Sequence, residues 1–313
     1  MNSRISEAKE MTSSVERSRR SEGWWISASA IATRRYRPVL GGAYLVVILY
    51  DKDDYRYDMN PFSFSLAGKT ALVTGGNGGI GLGMAQGLAA NGANVVIWGT
   101  NLEKNTAAAK ELSGFGTSVL ALQCDVGDEA QVRASFEATV KECGRIDACF
   151  VNAGVGGKAP SFAEMSTEEW DRVMRVNLDG AFFTAQEAVR HMVPNGGGSI
   201  VFTTSGSAFY GQQKGQHYGA SKAGLVAMSK AIAVEHARHG IRSNAILPGW
   251  IESEMTAPSF AWDKFVNNVL PRVPMRRWGS PSDFAGLAVY LASDLSKYHT
   301  GDVITIDGGY HSF

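Results

Sequence analysis

The sequence predicts an α/β fold in which a parallel sheet is covered by helices on both faces. Short apolar runs alternate with helix-like stretches from Lys69 to the C-terminus, and the first run ends in glycines that open directly into an amphipathic segment. No internal repeat is visible, and the one low-complexity tract is the GGG at 196 to 198.

The elements follow in order. TALVTG, starting at Thr70, is a short apolar run; Ile80 to Ala90 has helical periodicity; NVVIWG, starting at Asn94, is a second run. That is strand, turn, helix, strand within about 30 residues, a βαβ unit. Further strand-like runs lie at Ser118 to Gln123, Asp147 to Val151, Ser199 to Thr203, Arg242 to Ile246 and Val303 to Ile306.

Composition bounds the function. A chain of 313 residues with 44% hydrophobic and 10% aromatic content can bury a substantial core. Thirty basic residues balance thirty acidic ones, and no long cationic run appears in the glycine-rich body, which argues against nucleic acid and for a small-molecule partner. Cys124, Cys143 and Cys149 form no CxxC, so a reducing, cytoplasmic setting is expected.

Residues 1–58 are set apart from the domain expected at 59–313. Arginines cluster at Arg17, Arg19, Arg20, Arg34, Arg35 and Arg37 among serines, and the apolar run Tyr44 to Tyr50 is too short to cross a bilayer. The start resembles a transit peptide or a twin-arginine signal, but acidic residues interrupt the first pattern and the second lacks a long apolar stretch. A poorly ordered extension, or a start assigned upstream of Met59, is expected instead.

Two motifs carry chemistry. In TGGNGGIG, Thr74 to Gly81, the glycines Gly75, Gly79 and Gly81 let the backbone turn sharply and approach a pyrophosphate, while the helix starting near Ile80 points free amides at the anion. In HYGASK, Tyr218 and Lys222 are four apart and share a helical face. An ammonium about 5 Å from the phenol at an effective dielectric of about 20 is worth roughly 3 kcal/mol, which predicts a phenol pKa lowered from about 10 to about 8. That makes the tyrosine an acid/base near neutral pH.

With these motifs in place, the chain resembles a classical short-chain dehydrogenase/reductase over roughly residues 64 to 313. The family pattern appears in order as TGGNGGIG at 74–81, CDV at 124–126, NAG at 152–154, VNLDG at 176–180, Ser205, the Tyr218/Lys222 pair, PGWIESEMT at 248–256 and DGG at 307–309. The resemblance implies a single Rossmann domain with a doubly wound, seven-stranded parallel sheet, hydride transfer at a nicotinamide, and a homotetramer or homodimer. It implies roles too. Tyr218 is the general acid/base, Lys222 lowers its pKa and bonds the nicotinamide ribose, Ser205 holds the substrate oxygen, and Asn177 positions a water behind the lysine. Singly, Ser205 also fits a strand-end turn, Asn177 a backbone-bonding helix residue and Lys222 a solvated charge; jointly, the spacings argue for chemistry.

The same resemblance assigns the cofactor contacts. Gly75, Asn77, Gly79, Ile80 and Gly81 line the pyrophosphate, and Asp125 and Val126 the adenine. Asn152, Ala153 and Gly154 follow the fourth strand. Pro248 and Gly249 open the segment in which Ile251 and Ser253 meet the carboxamide and Thr256 the pyrophosphate. Asp125 also fits a helix cap and Asn152 a turn residue. At the end of the second strand stand Gly99, Thr100 and Asn101, where a carboxylate would repel a 2′-phosphate. Its absence favours NADP over NAD, although no arginine follows.

The substrate is expected to be a ketone or secondary alcohol, possibly of 3-oxoacyl type, because PGWIESEMT resembles that of 3-oxoacyl-carrier-protein reductases. VPNGGG lacks the basic residue such reductases present to an acidic carrier, and the polar loop from Phe209 to His217 suits a gluconate-type sugar-acid dehydrogenase equally. A non-catalytic nucleotide-binding module is the alternative of another class. Phe260, Trp262 and Phe265 lie in a region that forms a lid in the family, and either touch substrate or pack the lid. His217 is expected to face outward by alternation. No metal is expected, since the six histidines are not paired with cysteines or acids at ligand spacing.

Overall fold

The structure, a computed structural model, describes residues 31–35, 45–49 and 63–312. The chain divides into two units, Met1–Pro61 and Phe62–Phe313. In the first, β1 (Ile31–Arg35) and β2 (Leu45–Leu49) pair antiparallel. The extension, or start upstream of Met59, expected over residues 1–58 otherwise lies outside the described residues.

The second unit holds seven parallel strands in the order β5-β4-β3-β6-β7-β8-β9. They are β3 (Thr70–Thr74), β4 (Asn94–Gly99), β5 (Val119–Gln123), β6 (Ala148–Val151), β7 (Gly198–Thr203), β8 (Ile241–Pro248) and β9 (Val303–Ile306). Val73 registers with Ile97 on one side and Phe150 on the other. This is the doubly wound Rossmann sheet expected, and strand order reverses between β3 and β6.

Side chains alternate between two cores. Ala71, Val73, Val95, Ile97, Phe150 and Val201 face α1 (Gly79–Ala90), α2 (Leu102–Ser113) and, late in the chain, a helix at Ala285–Ala292. Leu72, Val96, Trp98, Cys149, Ile200 and Phe202 face α3 (Glu129–Cys143) and the long helices that follow. Burying each large side chain contributes about 1.5–3 kcal/mol, which explains why these strands are continuous apolar runs rather than alternating ones. The fully buried Trp98 indole still donates to Thr139 Oγ1 at 3.3 Å. The three cysteines are free, and burial pushes the Cys149 thiol up to about 12.

Three further helices matter for the site. α4 (Thr167–Met174) runs through a π-helical turn, Arg175–Asp179, into α5 (Gly180–Met192). α6 (Gln216–His236) buries His217, Ser221, Lys222 and Leu225. Short α7 (Ala257–Phe260) and α8 (Asp263–Val269) follow β8, and α9 is the helix Ala285–Ala292.

Candidate active site

The glycine turn and the end of β6 are stitched together where the strand order reverses. Thr74 Oγ1 accepts the amides of Asn152 at 2.9 Å and Ala153 at 3.0 Å, while Asn152 Nδ2 donates to the Thr74 carbonyl at 3.0 Å. Asn152 therefore serves as a turn-bonding residue in this structure. Gly75 and Gly79 have φ of 63° and 51°, a region that favours glycine. At Gly81 the constraint is space: a Cβ would lie 2.2 Å from the Gly75 carbonyl oxygen and 2.5 Å from Asn152 Nδ2. Gly81→Ala is expected to cost about 1–3 kcal/mol through this overpacking. Urea unfolding checks it, and an unchanged midpoint would show that the turn relaxes freely.

The start of α1 differs from its neighbours. Asn101, Asp128 and Ser166 cap α2, α3 and α4 with side-chain oxygens, whereas Gly78 gives α1 no side-chain cap and its first turn holds no acid. Its leading amides are thus left for an external acceptor, the donor set that an anion at a helix N-terminus requires.

The structure brings Asn177, Ser205, Tyr218 and Lys222 to the C-terminal side of the sheet. Lys222 is 3% exposed and its Nζ donates to the Thr203 carbonyl at 2.8 Å. The same Nζ lies 5.7 Å from the centre of the Tyr218 ring. Asn177, in the π turn, is fully buried and reciprocally bonded to Val155: Oδ1 accepts its amide at 2.7 Å and Nδ2 donates to its carbonyl at 3.0 Å. A methyl on Gly154 would sit 3.2 Å from Asn177 Oδ1 and 3.4 Å from Lys222 Nζ, so both groups converge on one spot beside Gly154. Ser205 ends the extended segment after β7, and its Oγ accepts from Ser207 Oγ at 2.9 Å.

The phenol does not follow the charge argument. Burial pushes Tyr218 above its ordinary value, with the Ser205 hydroxyl pulling it partly back. Burial also pulls Lys222 down to about 8. Desolvation outweighs the expected Coulomb drop because the ammonium is itself inside and committed to a backbone carbonyl.

His217 also corrects the sequence reading. Its ring is fully buried rather than outward, with Nε2 3.2 Å from Glu169 Oε1. The imidazole fits against Gly157, where a Cβ would lie 2.1 Å from Cε1. Glu169 also accepts from Arg172 and the Lys158 amide, and chiefly the Arg172 bond lowers its carboxyl to about 2. The network ties α4, the loop after β6 and the first turn of α6 into one support beside Tyr218.

At the end of β4, Gly99 faces a side-chain clasp. Asn77 Nδ2 donates to Asn105 Oδ1 at 2.6 Å, and Asn105 Nδ2 donates to the Gly99 carbonyl at 2.9 Å. A Cβ on Gly99 would meet that clasp, 2.1 Å from Asn77 Nδ2. Thr100 and Asn101 are exposed, and Asn101 Oδ1 accepts the Lys104 amide as the cap of α2. Asp125 accepts from the Gly127 amide at 2.9 Å and pairs with Arg175 at 3.1 Å; the helix cap is Asp128 instead. Val126 is buried against Gly180.

After Pro248 and Gly249 the chain leans over the glycine turn, with Ser253 Cβ 3.4 Å from where a Cβ on Gly79 would be. Ile251 sends its side chain into the core rather than the cleft. Thr256 Oγ1 is committed to the loop itself, donating to the Ile251 carbonyl at 2.6 Å. Lys104 and Glu254 join α2 to this segment at 2.5 Å. Phe260 stacks on Trp278 at 4.4 Å and Phe265 meets Trp250 edge-on at 4.8 Å, so these aromatics pack the segment internally; Trp262 is exposed.

Two further histidine–carboxylate pairs escaped the sequence reading. His311 Nδ1 lies 2.7 Å from Asp307 Oδ2, and His299 likewise meets Asp302 at 3.0 Å, so histidines taken as unpaired do have carboxylate partners. The i,i+4 and i,i+3 spacings were the available signal. No group of three or more such ligands occurs among the described residues.

Comparison with known proteins matches this geometry. Residues 75–311 fit the family profile described as Enoyl-(Acyl carrier protein) reductase. The 3-oxoacyl-(acyl-carrier-protein) reductase of Chlamydia pneumoniae is 36% identical over 245 residues, 78% of this chain and 98% of that protein. Gluconate 5-dehydrogenase of Gluconobacter oxydans is 36% identical over 250 residues, 80% and 97% of the two chains. Among solved structures, a gluconate 5-dehydrogenase from Burkholderia cenocepacia in complex with NADP and tartrate superposes with a TM-score of 0.77 at 34% identity, covering 80% of this chain and 98% of its own. The parallel sheet, the glycine turn at its switch point and the relatives matched along nearly their whole length give one answer: the chain belongs to the short-chain dehydrogenase/reductase family of oxidoreductases.

Proposed function

We propose that the protein transfers hydride between NADP(H) and a ketone or secondary alcohol, with Tyr218, Lys222, Ser205 and Asn177 as the catalytic group. The convergence of Lys222 Nζ and Asn177 Oδ1 beside Gly154, next to the Tyr218 ring, carries this assignment. Gly75, Asn77, Gly79, Ile80 and Gly81, with the uncapped start of α1, would hold the pyrophosphate. Asp125 and Val126 would hold the adenine, Asn152 to Gly154 the middle of the cofactor, the backbone of Pro248, Gly249, Ile251 and Ser253 its nicotinamide end, and Thr256 the pyrophosphate. Gly99, Thr100 and Asn101 bring no carboxylate to the ribose, which favours the 2′-phosphate of NADP. When bound, the nicotinamide supplies the hydride donor or acceptor.

The chain's own residues handle the proton. Ser205 holds the substrate oxygen and Tyr218 donates its phenolic proton to it in reduction or removes it in oxidation. A phenol pushed above its ordinary value stays protonated through neutral pH and so serves as a donor there. Reduction is therefore expected to hold steady across neutral pH and to fall only in strongly alkaline solution, while oxidation climbs with pH. The relatives include 3-oxoacyl reductases and sugar-acid dehydrogenases, both within this reaction class. An assembly of two or four copies in the cytoplasm accords with the family resemblance.

Fluorescence titration with NADPH and NADH, followed by assays on 3-oxoacyl thioesters, ketoses and keto acids, tests the assignment. Tighter NADPH binding with turnover of a carbonyl compound supports it. A folded preparation that binds neither nucleotide would refute it.

A further inference from the structure

The last residues of the domain build a carboxylate–imidazole pair beside Gly206, the residue after Ser205. Asp307 follows β9, and its carboxylate accepts the amides of Gly309 and His311, each at 2.8 Å, as well as His311 Nδ1 at 2.7 Å. The Asp307 side chain is 7% exposed and that of His311 15%. Burial alone would raise the Asp307 carboxyl, but these three donors outweigh it and hold it below the ordinary carboxylate range. An ionised carboxylate only accepts, so Nδ1 carries a proton, and in the neutral tautomer this selects, Nε2 presents a lone pair.

The Nε2 edge of the ring lies against the residue after Ser205. A Cβ on Gly206 would lie 2.2 Å from His311 Nε2 and 2.4 Å from Cε1, so the imidazole occupies the space that a side chain at position 206 would fill. The other flank of the pair is the start of the segment after β8, since a Cβ on Gly249 would be 2.7 Å from Asp307 Cα. Tyr210, in the polar loop between Ser205 and Tyr218, stacks on the ring at 4.5 Å and 14° and fixes its plane. Among the described residues Nε2 makes no hydrogen bond.

We propose that His311 is a substrate-positioning residue that accepts a hydrogen bond from a hydroxyl of a polyhydroxylated substrate, with Asp307 acting through it to fix the tautomer. This rests on the assignment of the site as a ketone/alcohol oxidoreductase and narrows its substrate to hydroxylated compounds such as keto-sugar acids. A hydroxyl-free carbonyl compound gains nothing from Nε2.

The test separates binding from turnover. In a Tyr218→Phe background loaded with NADPH, 5-ketogluconate and cyclohexanone are titrated by quenching of NADPH fluorescence, with and without His311→Phe, which keeps the ring stacked on Tyr210. Loss of the bond is expected to weaken 5-ketogluconate about 10-fold or more and to leave cyclohexanone within about 2-fold, with NADPH affinity unchanged. His311→Gln, which restores an acceptor, is expected to recover part of the loss, and Asp307→Asn to weaken the same ligand selectively. Equal loss on both ligands, no loss on 5-ketogluconate, or binding of cyclohexanone alone to the parent overturns the proposal. Absence of turnover of either ketone by the wild-type chain, by contrast, counts against the oxidoreductase assignment and leaves the binding readout intact.

Discussion

Tyr218→Phe is expected to lower turnover by about 10²- to 10⁴-fold while leaving the fold and nucleotide binding in place. The change removes one oxygen from a half-buried ring and no carbon, so no cavity opens in the core and Lys222 keeps its bond to the Thr203 carbonyl. Ser205 retains Ser207 as a partner, which leaves no buried hydroxyl stranded. The proton that the phenol supplies has no replacement within the group: Lys222 Nζ is directed at the backbone, and Asn177 is occupied on both its atoms by Val155. Stopped-flow single turnovers with preloaded NADPH isolate the step. Turnover within about 10-fold of the wild type would remove Tyr218 from the acid/base role. A chain that binds nucleotide equally well before and after the change, with no turnover in either form, would instead fit a non-catalytic binding module.

Lys222→Met is expected to separate activity from stability. The buried ammonium titrates at about 8 against a model-compound value of 10.5, so the folded state disfavours its charge. At about 1.4 kcal/mol per pH unit, the ammonium costs about 3 kcal/mol at pH 7. For a lysine whose folded pKa is depressed, the cost is complete below the folded value and is relieved as pH climbs from about 8 to 10.5. Methionine carries no such cost at any pH. The variant's stability relative to the wild type should therefore decline by about 3 kcal/mol across that window, whatever is lost by leaving the Thr203 carbonyl without its donor, about 1–3 kcal/mol. Urea unfolding of both proteins at pH 7 and pH 10 measures the difference directly, and a gap that does not move with pH would show that the ammonium is better solvated than its 3% exposure suggests. Catalysis should fall by at least about 10²-fold at every pH.

The sheet was legible because a strand buried on both faces is an unbroken apolar run, and TALVT, NVVIWG and ACFV stand out from everything around them. The glycine turn and the Tyr218/Lys222 pair were legible because local geometry fixes them: a strand feeding a helix, and one turn of α6. What escaped depended on burial and on distant partners. His217 was expected outward by strand-like alternation, but it sits on a helix, where His217 and Ser221 share the buried face. Its partner Glu169 lies 48 residues away, and no local pattern announces it. The direction of the Tyr218 shift failed for a related reason, since spacing places a charge near the phenol but does not reveal how much desolvation the fold imposes on each group. Asp307 and His311 carried a visible spacing, yet only the fold places Gly206 beneath the ring.

The π turn at Arg175–Asp179 absorbs an extra residue within the helix from Thr167 to Met192. A π turn carries one more residue than α-helical winding accommodates. Regular α-helical winding of the same residues, with none removed, would rotate everything downstream by about 100° around the axis. The stripe Ala181, Ala185, Ala188 and Met192, buried against the sheet, would then swing toward solvent. The irregular turn is thus a phase-setter: it presents Asn177 to Val155 and, in the same residues, determines which side of α5 meets the core. Chemistry and packing share a single insertion there.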